Sequence, residues 1–189
     1  DMWDAGGGEA FAEMARRFGH TATEQLTCGC HVHVAVASDE EAVAVVDRIQ
    51  PWLAVLLALS VNSPFWAGID TGYGSYRSQV QIRWPSAGPT SPFGSAARYR
   101  EVTEHLLRTD TLMDRGMLYF DARLSAGQPT VEVRVLDAVV DGVADQVGQR
   151  VLDRLEQRLV ELGLPALHLQ ADRLLQLQPE GPDDAGELG

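Results

Sequence analysis

The stretch that decides the fold is LTCGCHVHVAVA, residues 26–37. From Cys30 onward every second residue is apolar, and His31 and His33 occupy two of the positions between them. Side chains on a β-strand point alternately to the two faces of its sheet. The alternation therefore predicts a strand with one apolar face and one face that carries both histidines.

Two later segments show the same alternation. In residues 130–136 the valines at every second position are separated by Glu132 and Arg134, and in residues 117–124 a polar set includes Asp121 and Arg123. Helical segments stand between these strands: the sequence SDEE at 38–41 matches a capping box, and Ser95 can cap a helix that reaches about residue 108. Strands mixed with helices of ordinary length predict an α+β domain whose helices pack on the apolar face of the sheet.

The remaining segments complete the domain plan. We predict a flexible lead at 1–8, one folded domain at 9–178 and an acidic tail at 179–189. Within the domain we expect a helix at 9–25 weakened by Gly19, a functional loop at 62–92 with one short strand at 80–84, and helices at 143–162 and about 166–178.

The charge composition limits the chemistry of the protein. The net charge of −12 argues against a nucleic-acid partner, and all fifteen cationic side chains are arginine. Without lysine there is no phosphate-binding lysine of the Walker type and no Schiff-base lysine. Arginine, backbone amides or a metal ion must therefore handle any phosphate.

The apolar run at 52–59 is shorter than the roughly 20 residues that span a bilayer, and no signal peptide opens the sequence. We therefore expect no membrane partner and a cytoplasmic location. Cys28 and Cys30 are two positions apart, which is poor spacing for a disulfide. A zinc site formed by these cysteines with His31 and His33 is disfavoured, because a strand points the two pairs to opposite faces.

Each polar strand face has two interpretations. His31 and His33 can bind a metal ion or a polyphosphate, or they can be half-exposed residues on a solvated sheet. Glu132 and Arg134 can form a local ion pair of little energetic value, or they can hold a magnesium–phosphate complex. The glycine-rich segment at 72–77, which ends in Tyr76 and Arg77, and the following Arg83 add groups that fit a phosphate or carboxylate ligand.

In their order along the chain these segments resemble the type 2 glutamate–cysteine ligases, a family of carboxylate–amine ligases. The matching pieces are LTCGCHVHV (26–34), PWL (51–53), LLALS (56–60), NSPFW (62–66), DTGY (70–73), SYR (75–77), RWP (83–85) and PTVEVRV (129–135). The match covers roughly residues 10–140, and the ordered series is specific although no single piece is.

The resemblance implies a glutamine-synthetase-like fold, in which a curved antiparallel sheet binds ATP, metal ions and the acyl substrate on its concave face. It implies phosphorylation of a glutamate γ-carboxylate by ATP, followed by attack of an amine such as cysteine. The implied Mg²⁺ or Mn²⁺ ligands are His31 and Glu132. The implied nucleotide-binding residues are His33, Tyr76 and Arg123, and the implied catalytic residues are Arg134, Arg77 and Arg83.

The sequence departs from the family pattern in one important respect. It contains no Glu-x-Glu, whereas the family has an amino-terminal Gly-x-Glu-x-Glu strand that supplies further metal carboxylates. The resemblance therefore implies reduced metal affinity. Two alternatives remain: a remnant that binds nucleotide or carboxylate without turnover, and a structural subunit that pairs with a second copy or a partner chain through an open sheet edge.

Overall fold

The computed structural model describes residues 7–25 and 27–138. Its helices are α1 (Gly7–Phe18), α2 (His20–Thr23), α3 (Asp39–Ser60), α4 (Tyr76–Gln81) and α5 (Ala96–Arg108), with a 3₁₀ turn at Arg115–Met117. Its strands are β1 (Gly29–Ala35), β2 (Phe65–Trp66), β3 (Ile69–Asp70), β4 (Ala122–Leu124) and β5 (Thr130–Asp137).

The main sheet has the order β1-β5-β4, and both strand pairs are antiparallel. β2 and β3 form a separate small hairpin. The prediction of an α+β fold with an antiparallel sheet is confirmed, whereas the kinship with glutamine synthetase stays a prediction. β5 lies in the centre of the sheet, and its side chains can therefore contact both neighbouring strands.

Helix α3 covers the apolar face of the sheet. Ser38 caps it by accepting a hydrogen bond from the backbone N–H of Glu41 at 3.2 Å, as the capping pattern predicts, and the helix continues through Pro51. Its buried side chains pack with the valines of β1 and β5: Val32, Val34, Val45, Val46, Leu53, Leu56, Val131 and Val133. By length and composition alone α3 could cross a membrane. Its buried side chains belong to the core cluster, and the expected absence of a membrane partner stays a prediction.

Strand β5 contains a β-bulge. Cys30 pairs with Leu136, but two positions later Val32 pairs with Val133, so β5 holds one residue more than β1 between these two pairs. Val135 and Leu136 both contact the apolar core, which shows where the alternation of faces is interrupted. The next residue, Asp137, consequently returns to the polar face, the side of the sheet that carries His31 and Glu132.

The structure differs from the predicted elements in two helical regions. The helix expected at 9–25 is divided into α1 and α2 at Gly19, whose φ of 53° interrupts it. The short strand expected at 80–84 is wrong, because this segment contains the end of α4 and the turns that follow. Val80 and Trp84 are buried but Ile82 is 61% exposed, which is helical periodicity rather than alternation.

The strand expected at 117–124 is shorter than predicted. Asp114 accepts hydrogen bonds from the N–H groups of Gly116 and Met117, so the first part forms a 3₁₀ turn and only β4 pairs in the sheet. The strand expected at 130–136 is confirmed as β5, and the helix after Ser95 as α5. The helices predicted at 143–162 and 166–178 and the tail at 179–189 lie outside the described residues.

Candidate functional site

Glu132 lies at the centre of a polar cluster on the sheet. Its Oε1 is 2.9 Å from Nδ1 of His31 and also accepts a hydrogen bond from Arg134, while its Oε2 accepts one from Nε of Arg123 at 2.7 Å. The Glu132 side chain is only 6% exposed. We call these four residues, His31, Arg123, Glu132 and Arg134, the Glu132 cluster.

The register of the sheet explains why these residues meet. Glu132 of β5 is directly opposite His33 of β1 on one side and Arg123 of β4 on the other. Residues directly opposite on antiparallel strands point to the same face, and so do residues two apart on one strand. Three separate alternating segments therefore deliver their polar side chains to one place.

The Glu132 cluster holds its carboxylate in the ionised form. Burial by itself raises the pKa of Glu132, but the hydrogen bond from His31 and the charges of Arg134 and Arg123 outweigh it and hold this pKa well below its ordinary value. Burial has the opposite effect on His31, whose pKa is lowered in spite of the Glu132 hydrogen bond. A neutral His31 donates through Nδ1–H and keeps the lone pair of Nε2 for another partner.

The lowered pKa of His31 predicts a pH-dependent stability. Below its ordinary value of 6.5, the unfolded chain takes up a proton at this residue that the folded protein resists. The free energy of unfolding should therefore fall as the pH is lowered through about 6.5. Urea unfolding at a series of pH values measures this, and His31→Gln should flatten the curve in that range. An unchanged curve in the variant would assign the pH dependence to other groups.

Arg123 is anchored from two directions. Besides Glu132, its Nη1 donates to the carbonyl oxygens of Gly116 at 2.8 Å and Leu118 at 2.7 Å, both at the 3₁₀ turn before β4. The side chain is 10% exposed. These contacts occupy the guanidinium with protein groups, so its main effect in this arrangement is to fix the Glu132 carboxylate.

The guanidinium of Arg134 is not fully hydrogen-bonded within the described residues. One guanidinium nitrogen donates to Glu132, and the guanidinium carbon lies 5.8 Å from the ring centre of Tyr119. Its Nε is buried and has no hydrogen-bond partner in the part of the chain that the structure describes. With His31 neutral, the Glu132 cluster carries two guanidinium charges against one carboxylate, which is a local positive excess in an acidic protein.

A second buried network adjoins this cluster at the end of β5. Asp137 is 1% exposed and accepts hydrogen bonds from the hydroxyl groups of Ser63 and Ser75, each at 2.8 Å, and from the N–H of Asn62 at 3.0 Å. Arg77 lies beside it, with Nη1 3.7 Å from Oδ1 of Asp137. We call these five residues the Asp137 network. It joins the end of α3 and the start of α4 to the sheet.

The remaining predicted site residues lie around this centre. His33 contacts the Thr130 hydroxyl at 3.0 Å, and Tyr76 packs with Trp66 and Tyr73 in an aromatic group. Arg83 is paired with Glu24 at 3.0 Å, and the adjacent Trp84 donates to Gln25 at 3.1 Å. The structure thus brings together His31, Arg123, Glu132, Arg134 and Arg77, whereas the ligand-binding roles of all eight residues stay predictions.

The sequence analysis did not single out Asp137 or the serines that bind it. The signal that could have found them is the NSP motif at 62–64, whose short hydrogen-bonding side chains imply an acceptor elsewhere in the fold. The position of that acceptor depends on the bulge in β5, which has no sequence signature. Cys30, which the alternation places on the apolar face of its strand, packs against the core.

Comparison with known proteins identifies the relatives of this chain. The model of Glutamate-cysteine ligase family 2 matches residues 5–172. A Streptomyces avermitilis protein named "Putative glutamate--cysteine ligase 2-1" is 64% identical over 124 residues, which cover 66% of this chain and 34% of that protein. A Nocardioides protein of the same name is 54% identical over 169 residues, covering 88% of this chain and 44% of that protein.

A Paenarthrobacter aurescens protein, also named "Putative glutamate--cysteine ligase 2-1", is 60% identical over 131 residues. These residues cover 69% of this chain but 34% of that relative. The chain thus spans about a third of the length of the first relatives it matches.

Proposed function

Because the chain belongs to Glutamate-cysteine ligase family 2, we propose that it contributes the phosphate-handling strands of an ATP-dependent carboxylate–amine ligase. The observation that carries this proposal is the Glu132 cluster: a buried carboxylate held by two arginines and a histidine on one sheet face. This cluster has a net positive charge around one carboxylate. Such a site suits a negatively charged phosphate ligand better than an uncharged ligand.

The reaction that fits these groups has two steps. The γ-phosphoryl group of ATP is transferred to the side-chain carboxylate of glutamate, which releases ADP and leaves an acyl phosphate. The nitrogen of a second substrate, an amine such as cysteine, then attacks the acyl carbon; phosphate departs, the nitrogen loses a proton and an amide bond forms. The chain's own task is to bind and neutralise the phosphate oxygens as charge moves between them.

Arg134 is the residue best placed for that task. Its buried Nε lacks an acceptor among the described residues, and a phosphate oxygen would supply one. Its contacts with Glu132 and Tyr119 hold the guanidinium in one orientation, so little freedom remains to be lost on binding. Arg123 acts with it by fixing Glu132 from the other side.

The same cluster fits Mg²⁺ or Mn²⁺ in part. The imidazole nitrogen of His31 and the carboxylate of Glu132 are donors that these ions accept, whereas the described residues contain no group of three or more such donors. Both ions prefer about six ligands. Phosphate oxygens, water and residues from elsewhere in the full protein would have to complete the shell. The ion would supply charge neutralisation for the phosphates.

Titration calorimetry of ATP with Mn²⁺ into the purified chain tests the proposal. Arg134→Met should weaken binding about tenfold or more, since a lost charge-assisted hydrogen bond is worth roughly 1.5–3 kcal/mol. Arg98→Met is the matched control, because the Arg98 side chain is exposed and its ion pair within the described residues is with the exposed Glu101. Equal affinity in the wild type and Arg134→Met would refute the assignment of the phosphate site to this sheet face.

A second function is favoured by the limited number of metal donors. A chain whose described residues bring no three metal donors together can bind nucleotide without turning it over. In that case ATP binds in the titration, but no ADP forms when glutamate and cysteine are added. The strands β1 and β4 form the edges of the sheet within the described residues, and a partner chain or a second copy could pair there.

A further inference from the structure

The side chain of Arg77 occupies space that only a glycine leaves open. An ideal Cβ built on Gly29 would lie 2.5 Å from Nη2, 2.8 Å from Nε and 2.9 Å from Cζ of Arg77. Any other residue at position 29 would have to displace the guanidinium. Arg77 itself is 6% exposed, so its charged end is enclosed by protein at the start of β1.

The guanidinium of Arg77 binds the backbone of the bulge. Nη2 donates to the carbonyl oxygen of Arg134 at 2.8 Å, and Nη1 donates to that of Val135 at 3.3 Å. Consecutive carbonyls of a regular strand point in opposite directions, so one planar group can reach both only where the ladder is interrupted. Arg77 therefore supplies a donor to each of the two consecutive carbonyls at the bulge.

The Asp137 network holds Arg77 in place. Asp137 provides the counter-charge, and the backbone N–H of Arg77 donates to the hydroxyl of Ser63 at 3.1 Å. Ser63 in turn donates to Asp137. The Arg77 residue is thus held at both ends. Its backbone N–H is bound by Ser63, and its guanidinium lies beside the Asp137 carboxylate.

The bulge determines which face Glu132 occupies. Asp137 and Glu132 are five positions apart, and an odd separation on a regular strand places two side chains on opposite faces. If the register of the pairs Gly29–Asp137 and Cys30–Leu136 continued without a bulge, Glu132 would pair with Val34, whose side chain is in the apolar core. With the bulge, Glu132 pairs with His33 and faces the polar side.

We propose that Arg77 is a positioning residue: it holds the bulge of β5 and thereby places Glu132 and Arg134 on the polar face. Gly29 makes room for this contact, and Asp137 orients it. The consequence for nucleotide binding rests on the proposed function, whereas the effect of Arg77 on the backbone of β5 does not.

The test combines two single variants with hydrogen exchange and nucleotide binding. Arg77→Met removes the donors, and Gly29→Ala displaces the guanidinium without removing it. Amide exchange measured by mass spectrometry should rise about tenfold or more in peptides that cover residues 130–138, since the freed carbonyls destabilise the bulge. The affinity for ATP with Mn²⁺ should fall about tenfold or more in both variants. Arg98→Met and Gly8→Ala, where an added Cβ meets no atom within 4 Å, are the matched controls.

The double variant makes the test independent of folding yield. Once Arg77 is methionine, an alanine at position 29 no longer displaces a guanidinium, so the double variant should be no worse than Arg77→Met in both measurements. Additive losses would overturn the proposal. Weaker nucleotide binding with unchanged amide exchange would also overturn it, because Arg77 would then contact the ligand directly. Faster exchange with unchanged binding would overturn it as well, because the bulge would then not position the Glu132 cluster. If the wild type does not bind the nucleotide, the proposed function fails, and exchange together with the double variant still decides the role of Arg77.

Discussion

Replacing Glu132 with alanine is expected to lower the free energy of unfolding by about 3–5 kcal/mol. The carboxylate is the shared partner of His31, Arg123 and Arg134, and without it two guanidinium groups are left next to each other in a mostly buried place. Breaking a buried ion pair from one side costs far more than the pair contributes, because the other charge stays buried without compensation. Chemical denaturation with urea measures the loss.

Two further variants test whether the loss of stability comes from the buried charge of Glu132. Glu132→Gln keeps the shape and some hydrogen-bonding capacity but removes the charge, and we expect it to lose nearly as much stability as the alanine variant. Glu101→Ala removes an exposed glutamate that is paired with Arg98, and it should change stability little, because an exposed ion pair contributes little. If Glu132→Ala were as mild as Glu101→Ala, the cluster would have to be solvated rather than buried.

Replacing Asp137 with alanine is expected to destabilise the protein by a similar amount, about 3–5 kcal/mol. The carboxylate is fully enclosed, and its loss removes the acceptor of Ser63, Ser75 and the N–H of Asn62 as well as the counter-charge of Arg77. The effect should be visible as a lower urea midpoint and a lower melting temperature.

The matched comparison is Asp137→Asn, which keeps one acceptor oxygen and should retain part of the stability. Asp110→Ala serves as the exposed control, because its side chain is 86% exposed and lies 3.8 Å from Arg17. We expect that variant within about 0.5 kcal/mol of the wild type. A loss in Asp137→Ala no larger than in Asp110→Ala would mean that the Asp137 network contributes nothing to the fold.

Much of the local structure follows from short-range patterns in the sequence. The alternation in β1 and β5 predicts where those strands lie, and the capping serines predict where α3 and α5 begin, because burial of every second residue and capping of free N–H groups are local effects. The pattern fails where two local signals compete. Val80, Ile82 and Trp84 satisfy an alternating pattern, yet Ser75 caps a helix through a hydrogen bond from Ser78, and the helix prevails.

The assembly of the site depends on pairings that the local patterns do not contain. The sequence predicts that Glu132 and Arg134 share a face and that His31 lies on a polar face, but it does not state that β5 lies between β1 and β4. That order makes Glu132 the meeting point of three strands. It also buries Arg123 against the carbonyls of Gly116 and Leu118, a contact between groups that no motif connects.

The sequence by itself determined the residue types of the site, the two-faced character of its strands and the family resemblance, since all of these are properties of consecutive residues. Only the tertiary structure decided that Arg77 turns toward the backbone of β5 and that Asp137 returns to the polar face after a bulge. The physical reason is that a bulge depends on the pairing of two distant strands. One extra residue in β5 moves every following side chain to the opposite face of the sheet. The guanidinium that binds the bulge carbonyls comes from another part of the chain.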